Sequence, residues 1–189
     1  MWVETLRRIH RLLLGTSTQL RLFPLRCLGL RIPPGFKAGR GINWPLGNLR
    51  NIHLGANVSL GARGWLYLPL NNRNSRIQID EGTALGDNFV ISSNELVHIG
   101  RNCLISYRVS FLDHDHVTGR GVNPVNSGVT KGEPIIIGEN TLIGAGVVIM
   151  RGVTIGKNCV INANSVVMRS FEDECIINGS PAKVMMKLA

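Results

Sequence analysis

Between Ile137 and Val167 an aliphatic residue occupies every sixth position: Ile137, Ile143, Ile149, Ile155, Ile161 and Val167. A period of six over that length matches neither an amphipathic helix nor a simple exposed strand, and reads as a structural repeat. Followed backwards, the pattern recurs at Leu54 and Leu60, at Ile79, Leu85 and Ile91, and at Ile99 and Ile105. Twelve rungs therefore begin with Ile or Leu, with Val167 as a closing position. Three residues after the anchor, ten of the twelve carry Asn or Gly: Asn57, Gly82, Asn88, Asn94, Asn102, Asn140, Gly146, Gly152, Asn158 and Asn164. These residues enter left-handed backbone at low cost, so each rung is expected to end in a tight corner. One position further on, Thr141, Val147, Val153, Cys159 and Ser165 are small enough to point inward beside that corner. The pattern predicts an all-β solenoid, a prism of short strands and corners.

The rungs IGENTL, IGAGVV, IMRGVT, IGKNCV and INANSV resemble the hexapeptide repeats of the left-handed parallel β-helix acyltransferases. The ending INGSPAKVMMK is similar to the closing tail of the branch that contains maltose, galactoside and polysaccharide O-acetyltransferases. The resemblance covers roughly residues 52 to 189, is dense from 137 onward and thin before 50. It implies three rungs per triangular coil and a left-handed winding, an exception to the usual right-handed crossover. The expected organisation is a basic N-terminal segment over 1–50 followed by a β-helix domain over 51–189. That domain would carry a protruding loop at 112–134 and a C-terminal tail at 168–189.

Charge changes the picture at one end. Residues 1–50 hold nine basic side chains against one acidic, whereas the remaining chain is close to balanced. Trp2, Leu6, Ile9, Leu12 and Leu13 recur at helical spacing with Arg7, Arg8 and Arg11 between them. A short helix capping the open end of the prism is one expectation. A segment over 1–35 lying on an anionic inner membrane surface is another. A basic stripe without a reading element is poor evidence for nucleic acid, and none is expected as a partner. The turn Pro33–Pro34–Gly35 is expected to divide this segment from the solenoid. No run of residues approaches the ~20 apolar positions of a membrane span, and Leu12–Leu14 is too short for a signal-peptide core. A cytoplasmic protein, peripheral at most, is the expectation. Cys27, Cys103, Cys159 and Cys175 show no close pairing, and Cys103 and Cys159 fall on inward repeat positions as free buried thiols.

The repeat fails over 69–76, a polar corner loop, and over 112–134, which is Gly-rich, polar and basic and includes His114 and His116. The resemblance implies that the longer loop frames an acceptor site between subunits of a homotrimer, with the histidine at its root as catalytic base. His116 lies seventeen residues after Ile99, the spacing kept in the resembling sugar acetyltransferases, so it is the first candidate and His114 the second. Asp113 or Asp115 is a candidate to orient an imidazole. The chemistry suits histidine: a sugar hydroxyl is a poor nucleophile unless its proton is removed as it attacks, and imidazole ordinarily titrates at about 6.5.

The donor implied is acetyl-CoA, with its pantetheine along the last coils at Ala145 and Ala163. Arg169 and Lys183 match family cations near the donor. Met168 and Met186 replace family residues that would add a hydroxyl and a second cation. The implied reaction is direct O-acetylation of a sugar hydroxyl, on a surface-polysaccharide or lipid-linked saccharide precursor, with no metal. Two other classes stay open: a zinc-dependent carbonic-anhydrase-like β-helix using the His-x-His pair, and a non-catalytic solenoid.

Overall fold

The computed structural model describes residues 18–188. Residues 18–27 are helical and are followed by eighteen short strands. The first strand, β1 (Lys37–Ala38), opens the stacking earlier than residue 51, within the segment assigned to the basic N-terminus. Successive coils then run β2 (Ile52–Leu54), β3 (Ser59–Leu60), β4 (Trp65–Tyr67); β5 (Arg76–Ile79), β6 (Ala84–Leu85), β7 (Val90–Ser92); and β8 (Leu96–Ile99), β9 (Leu104–Ile105), β10 (Ser110–Leu112). Two more coils comprise β11 (Ile135–Ile137), β12 (Leu142–Ile143), β13 (Val148–Met150) and β14 (Thr154–Ile155), β15 (Val160–Ile161), β16 (Val166–Val167). The chain closes with β17 (Cys175–Gly179) and an antiparallel return, β18 (Ala182–Lys187).

Every third strand pairs in parallel, giving three faces. Face A stacks β1, β3, β6, β9, β12, β15 and β17; face B stacks β4, β7, β10, β13 and β16; face C stacks β2, β5, β8, β11 and β14. This is the left-handed parallel β-helix that the family resemblance implies.

The anchors register on one another and fill the prism. Leu85, Ile105, Ile143 and Ile161 stack on face A, and Ile79, Ile99, Ile137 and Ile155 on face C. All are buried, each worth about 1.5–3 kcal/mol of apolar transfer. Two anchors the sequence reading passed over, Leu66 and Phe111, continue the same phase and are equally buried. Leu54 is only half-buried, because it lies in the outermost coil of face C.

The corners follow from backbone conformation. Of the ten Asn and Gly positions, nine have φ between 54° and 73°. Arg63 and Arg108 hold the equivalent place in the remaining two rungs, at φ 56° and 57°. Asn94 is the exception: its corner is shaped by a carboxylate from the next coil, described below. Glycine directly after the anchor has a second cause. A Cβ on Gly138 would stand 2.5 Å from the backbone carbon of Gly156 in the coil stacked on it. The inward small residues Thr141, Val147, Val153, Cys159 and Ser165 are all buried. Cys103, Cys159 and Cys175 are buried free thiols and Cys27 is exposed. Burial pushes the Cys103 and Cys159 thiols up, which keeps them protonated and poor nucleophiles.

At the N-terminal end Leu22, Leu30 and Phe36 join the core, so the helix closes the prism there. Gly35, at φ 70°, makes the expected turn into β1. The amphipathic pattern from Trp2 to Leu13 and His10 lie outside the described residues.

Candidate active site

Beyond Leu112 the chain leaves face B and folds as a hairpin before entering β11. Thr130 N–H donates to Asp115 O at 2.8 Å, Val117 N–H to Gly128 O at 3.1 Å, and His116 bridges Val129 antiparallel. The hairpin is tied down at its root. Glu133 N–H donates to Asp113 O at 2.8 Å, and the Asn94 side-chain amide donates to Thr130 O at 2.9 Å. Arg151, at the corner between β13 and β14, pairs with Asp115 at 2.8 Å and also with Glu133.

At that root lies a fully buried carboxylate. Asp113 Oδ1 accepts from Asn94 N–H at 2.6 Å, and Oδ2 accepts from the N–H groups of Glu95 at 2.8 Å and Leu96 at 3.0 Å. Ser93 Oγ lies 2.9 Å from Oδ2, and His114 Nδ1 lies 2.7 Å from Oδ1. The Asn94 corner is thus held by an anion bound across three consecutive N–H groups, a nest that stands in for the left-handed turn used elsewhere. Burial by itself would raise the Asp113 pKa. The hydrogen bonds from His114, Asn94, Glu95 and Ser93 outweigh it and hold the carboxyl below the usual aspartate value.

An ionised Asp113 accepts the Nδ1 proton of His114, which leaves the lone pair of the neutral ring on Nε2. The His114 side chain is only 7% exposed, and Tyr67 packs against it with ring centroids 6.3 Å apart. Nε2 makes no hydrogen bond with any of the described residues. Among the described residues the one buried side-chain polar atom without a partner is Arg21 Nε, so Nε2 of His114 reaches solvent. An oriented imidazole whose second nitrogen is not sealed from solvent is the arrangement a general base requires.

His116, two residues on, is exposed, and its ring makes no hydrogen bond or ion pair with any of the described residues. Asp115 is engaged by Arg151 rather than by an imidazole. His98 Nε2 lies 2.8 Å from Asp80, beside Gln78, on the outer surface of face C, and His53 is exposed. Among the described residues no three His, Cys, Asp or Glu side chains group as a metal site would need.

The residues matched to the donor fall in two places. Ala145 and Ala163 stack at the corner between faces A and B: Asn164 N–H donates to Ala145 O at 2.8 Å, and the Gly144 backbone packs on Ala163. Lys183 lies on β18, which folds back over the last coil so that Asn162 Nδ2 sits 3.5 Å from Met185 Sδ. Arg169 lies elsewhere, on the edge between faces B and C, with its guanidinium 5.3 Å from the Phe171 ring centroid. That second edge also carries Arg151 and the His114 loop. The nest was the feature hidden from sequence. Its only linear signal is an Asp beside a His at the break in the repeat.

Residues 134–169 match the family model for the hexapeptide repeat of succinyl-transferase. No curated protein matches the chain in sequence. Among solved structures it is similar to AntD, an N-acyltransferase from Bacillus cereus in complex with dTDP and 3-hydroxybutyryl-CoA, at 19% identity and TM-score 0.70, covering 87% of this chain and 86% of that one. It is similar to a galactoside acetyltransferase in complex with coenzyme A at 24% identity and TM-score 0.57, covering 91% and 81%. It is also similar to the polysialic acid O-acetyltransferase OatWY at 21% identity and TM-score 0.54, covering 79% and 85%. The chain carries a hexapeptide repeat over residues 134–169 and has the left-handed β-helix fold of these structures.

Proposed function

We propose that the protein transfers an acetyl group from acetyl-CoA directly to a hydroxyl of a saccharide, with His114 as general base and Asp113 as its positioning residue. The observation that carries this reading is the buried Asp113–His114 pair at the root of the inserted hairpin, with Nε2 open to solvent. Asp113 fixes the ring and its tautomer and stabilises the imidazolium formed when the acceptor hydroxyl gives up its proton. The oxygen attacks the thioester carbonyl, the tetrahedral oxyanion collapses, and coenzyme A leaves as a thiol after taking the proton back from the ring. The spacing from Ile99 instead favours His116, and the two histidines are separable by mutation.

The donor is read as acetyl-CoA because two of the similar structures hold coenzyme A or an acyl-CoA. Ala145 and Ala163 leave room for a pantetheine arm, and Lys183 and Arg169 are the candidate cations for its phosphates. The acceptor is read as a saccharide of the cell surface, on the resemblance to sugar and polysaccharide O-acetyltransferases.

In one chain the Ala145–Ala163 corner and His114 stand on different edges of the prism. A homotrimer that sets one copy's corner against the next copy's hairpin would assemble both halves. Leu104 and Leu142, paired and exposed on face A, are apolar surface that such a contact would cover.

The reaction is tested by following free thiol release from acetyl-CoA against a panel of nucleotide sugars and cell-envelope oligosaccharides, with amino sugars included. Thiol release coupled to an ester product upholds the reading. Transfer only to amines would make it an N-acyltransferase, and no transfer with any acceptor would overturn it.

A further inference from the structure

From Thr5 to Ile79 the chain contains no Asp or Glu and twelve Arg or Lys residues, more than half of the 21 basic residues in the whole sequence. The described part of this stretch, residues 18–79, includes one end of the prism: β1, β2 and β4 are the terminal strands of their faces, and the 18–27 helix closes them. One of those cations is structural. Arg21 turns inward and donates to the carbonyls of Ala38 and Gly39 at 2.6 and 3.2 Å. Arg26, Arg31, Lys37, Arg40, Arg50 and Arg73 are exposed and form no ion pair among the described residues.

The same end exposes large apolar side chains. While Leu22 faces the core, Leu20 and Phe23 on the helix are 77% and 62% exposed, one turn apart on its outer side. Leu28 and Leu70, also exposed, line one groove together with Arg50 and Arg73. Asp87 of the next coil pairs with Arg63 at 3.2 Å, but Arg26, Arg31, Lys37, Arg40, Arg50 and Arg73, interleaved with solvent-facing Leu and Phe, suit a surface that is anionic outside and apolar just beneath. A nucleic acid would attract the cations but gives the leucines and Phe23 no partner.

We propose that this end of the prism docks on an anionic lipid bilayer, the arginines meeting headgroup phosphates and Leu20, Phe23, Leu28 and Leu70 entering the interface. The inference is independent of the transfer chemistry and holds whatever the acceptor.

Sedimentation of the full chain with vesicles tests it, comparing phosphatidylcholine alone with phosphatidylcholine containing phosphatidylglycerol. Partition onto the anionic vesicles should be at least about tenfold stronger and should weaken as salt rises. Arg50→Glu with Arg73→Glu should lower it by about tenfold or more, and Leu20→Ser with Phe23→Ser should remove the part that survives high salt. All four side chains are exposed, so an unchanged circular dichroism melt checks the fold, and the salt series on the unaltered protein stands without any variant. Equal partition onto both vesicle types, variants that partition like the parent, or tighter binding to duplex DNA than to vesicles would each overturn the proposal.

Discussion

Asp113 is the residue on which stability and the proposed chemistry meet. Its carboxylate satisfies three backbone N–H groups of the coil below while orienting the imidazole of the next residue. Because its folded pKa is depressed, the stability it contributes is present above the ordinary aspartate value and is lost as pH falls through the folded one. Asp113→Asn is isosteric but sets an amide group against those donors. It should cost about 2–4 kcal/mol, read as a melting temperature lower by roughly 5–15 °C at neutral pH. The gap to the parent should narrow as acid protonates Asp113, with the Asp80–His98 pair unaltered in both proteins. A constant gap from pH 7 down to 3 would show that the nest does not bind an ionised carboxylate.

At the scale of elements, rungs and corners were legible because each obeys local chemistry: an aliphatic inside, then Asn or Gly where φ is positive. Leu66 and Phe111 are in phase, but each is followed by a loop where the corner's Asn or Gly would stand, and Phe111 is not aliphatic. The nest was not legible, because it joins residues 93–96 to Asp113 through coil stacking, a neighbourhood the linear repeat does not display. The hairpin was visible as a break, but its fastening to Arg151 depends on a register that resumes only after the insertion. Arg151 and its partners are substantially exposed, so Arg151→Ala should change global stability by less than about 1 kcal/mol. Its expected effect is on acceptor KM, raised several-fold by a loosened hairpin, with the donor KM unchanged. Equal rises in both constants would place Arg151 outside the acceptor side.

The whole molecule raises the question of assembly. A single prism carries the His114 hairpin on one edge and the Ala145–Ala163 corner on another, with apolar side chains exposed on face A. Sedimentation equilibrium should therefore give a species three times the 20.7 kDa chain mass, and a fully active monomer would remove the shared-site arrangement. The central claim, that an Asp-backed imidazole removes the acceptor proton, is most directly tested by measuring turnover of His114→Ala and His116→Ala side by side at saturating acetyl-CoA. His114→Ala should lose about 10²- to 10⁴-fold in kcat while keeping its assembly and donor affinity, and His116→Ala should lose far less. A dead His116→Ala beside an active His114→Ala would move the base to the hairpin strand, and near-parental rates in both would contradict histidine-assisted transfer altogether.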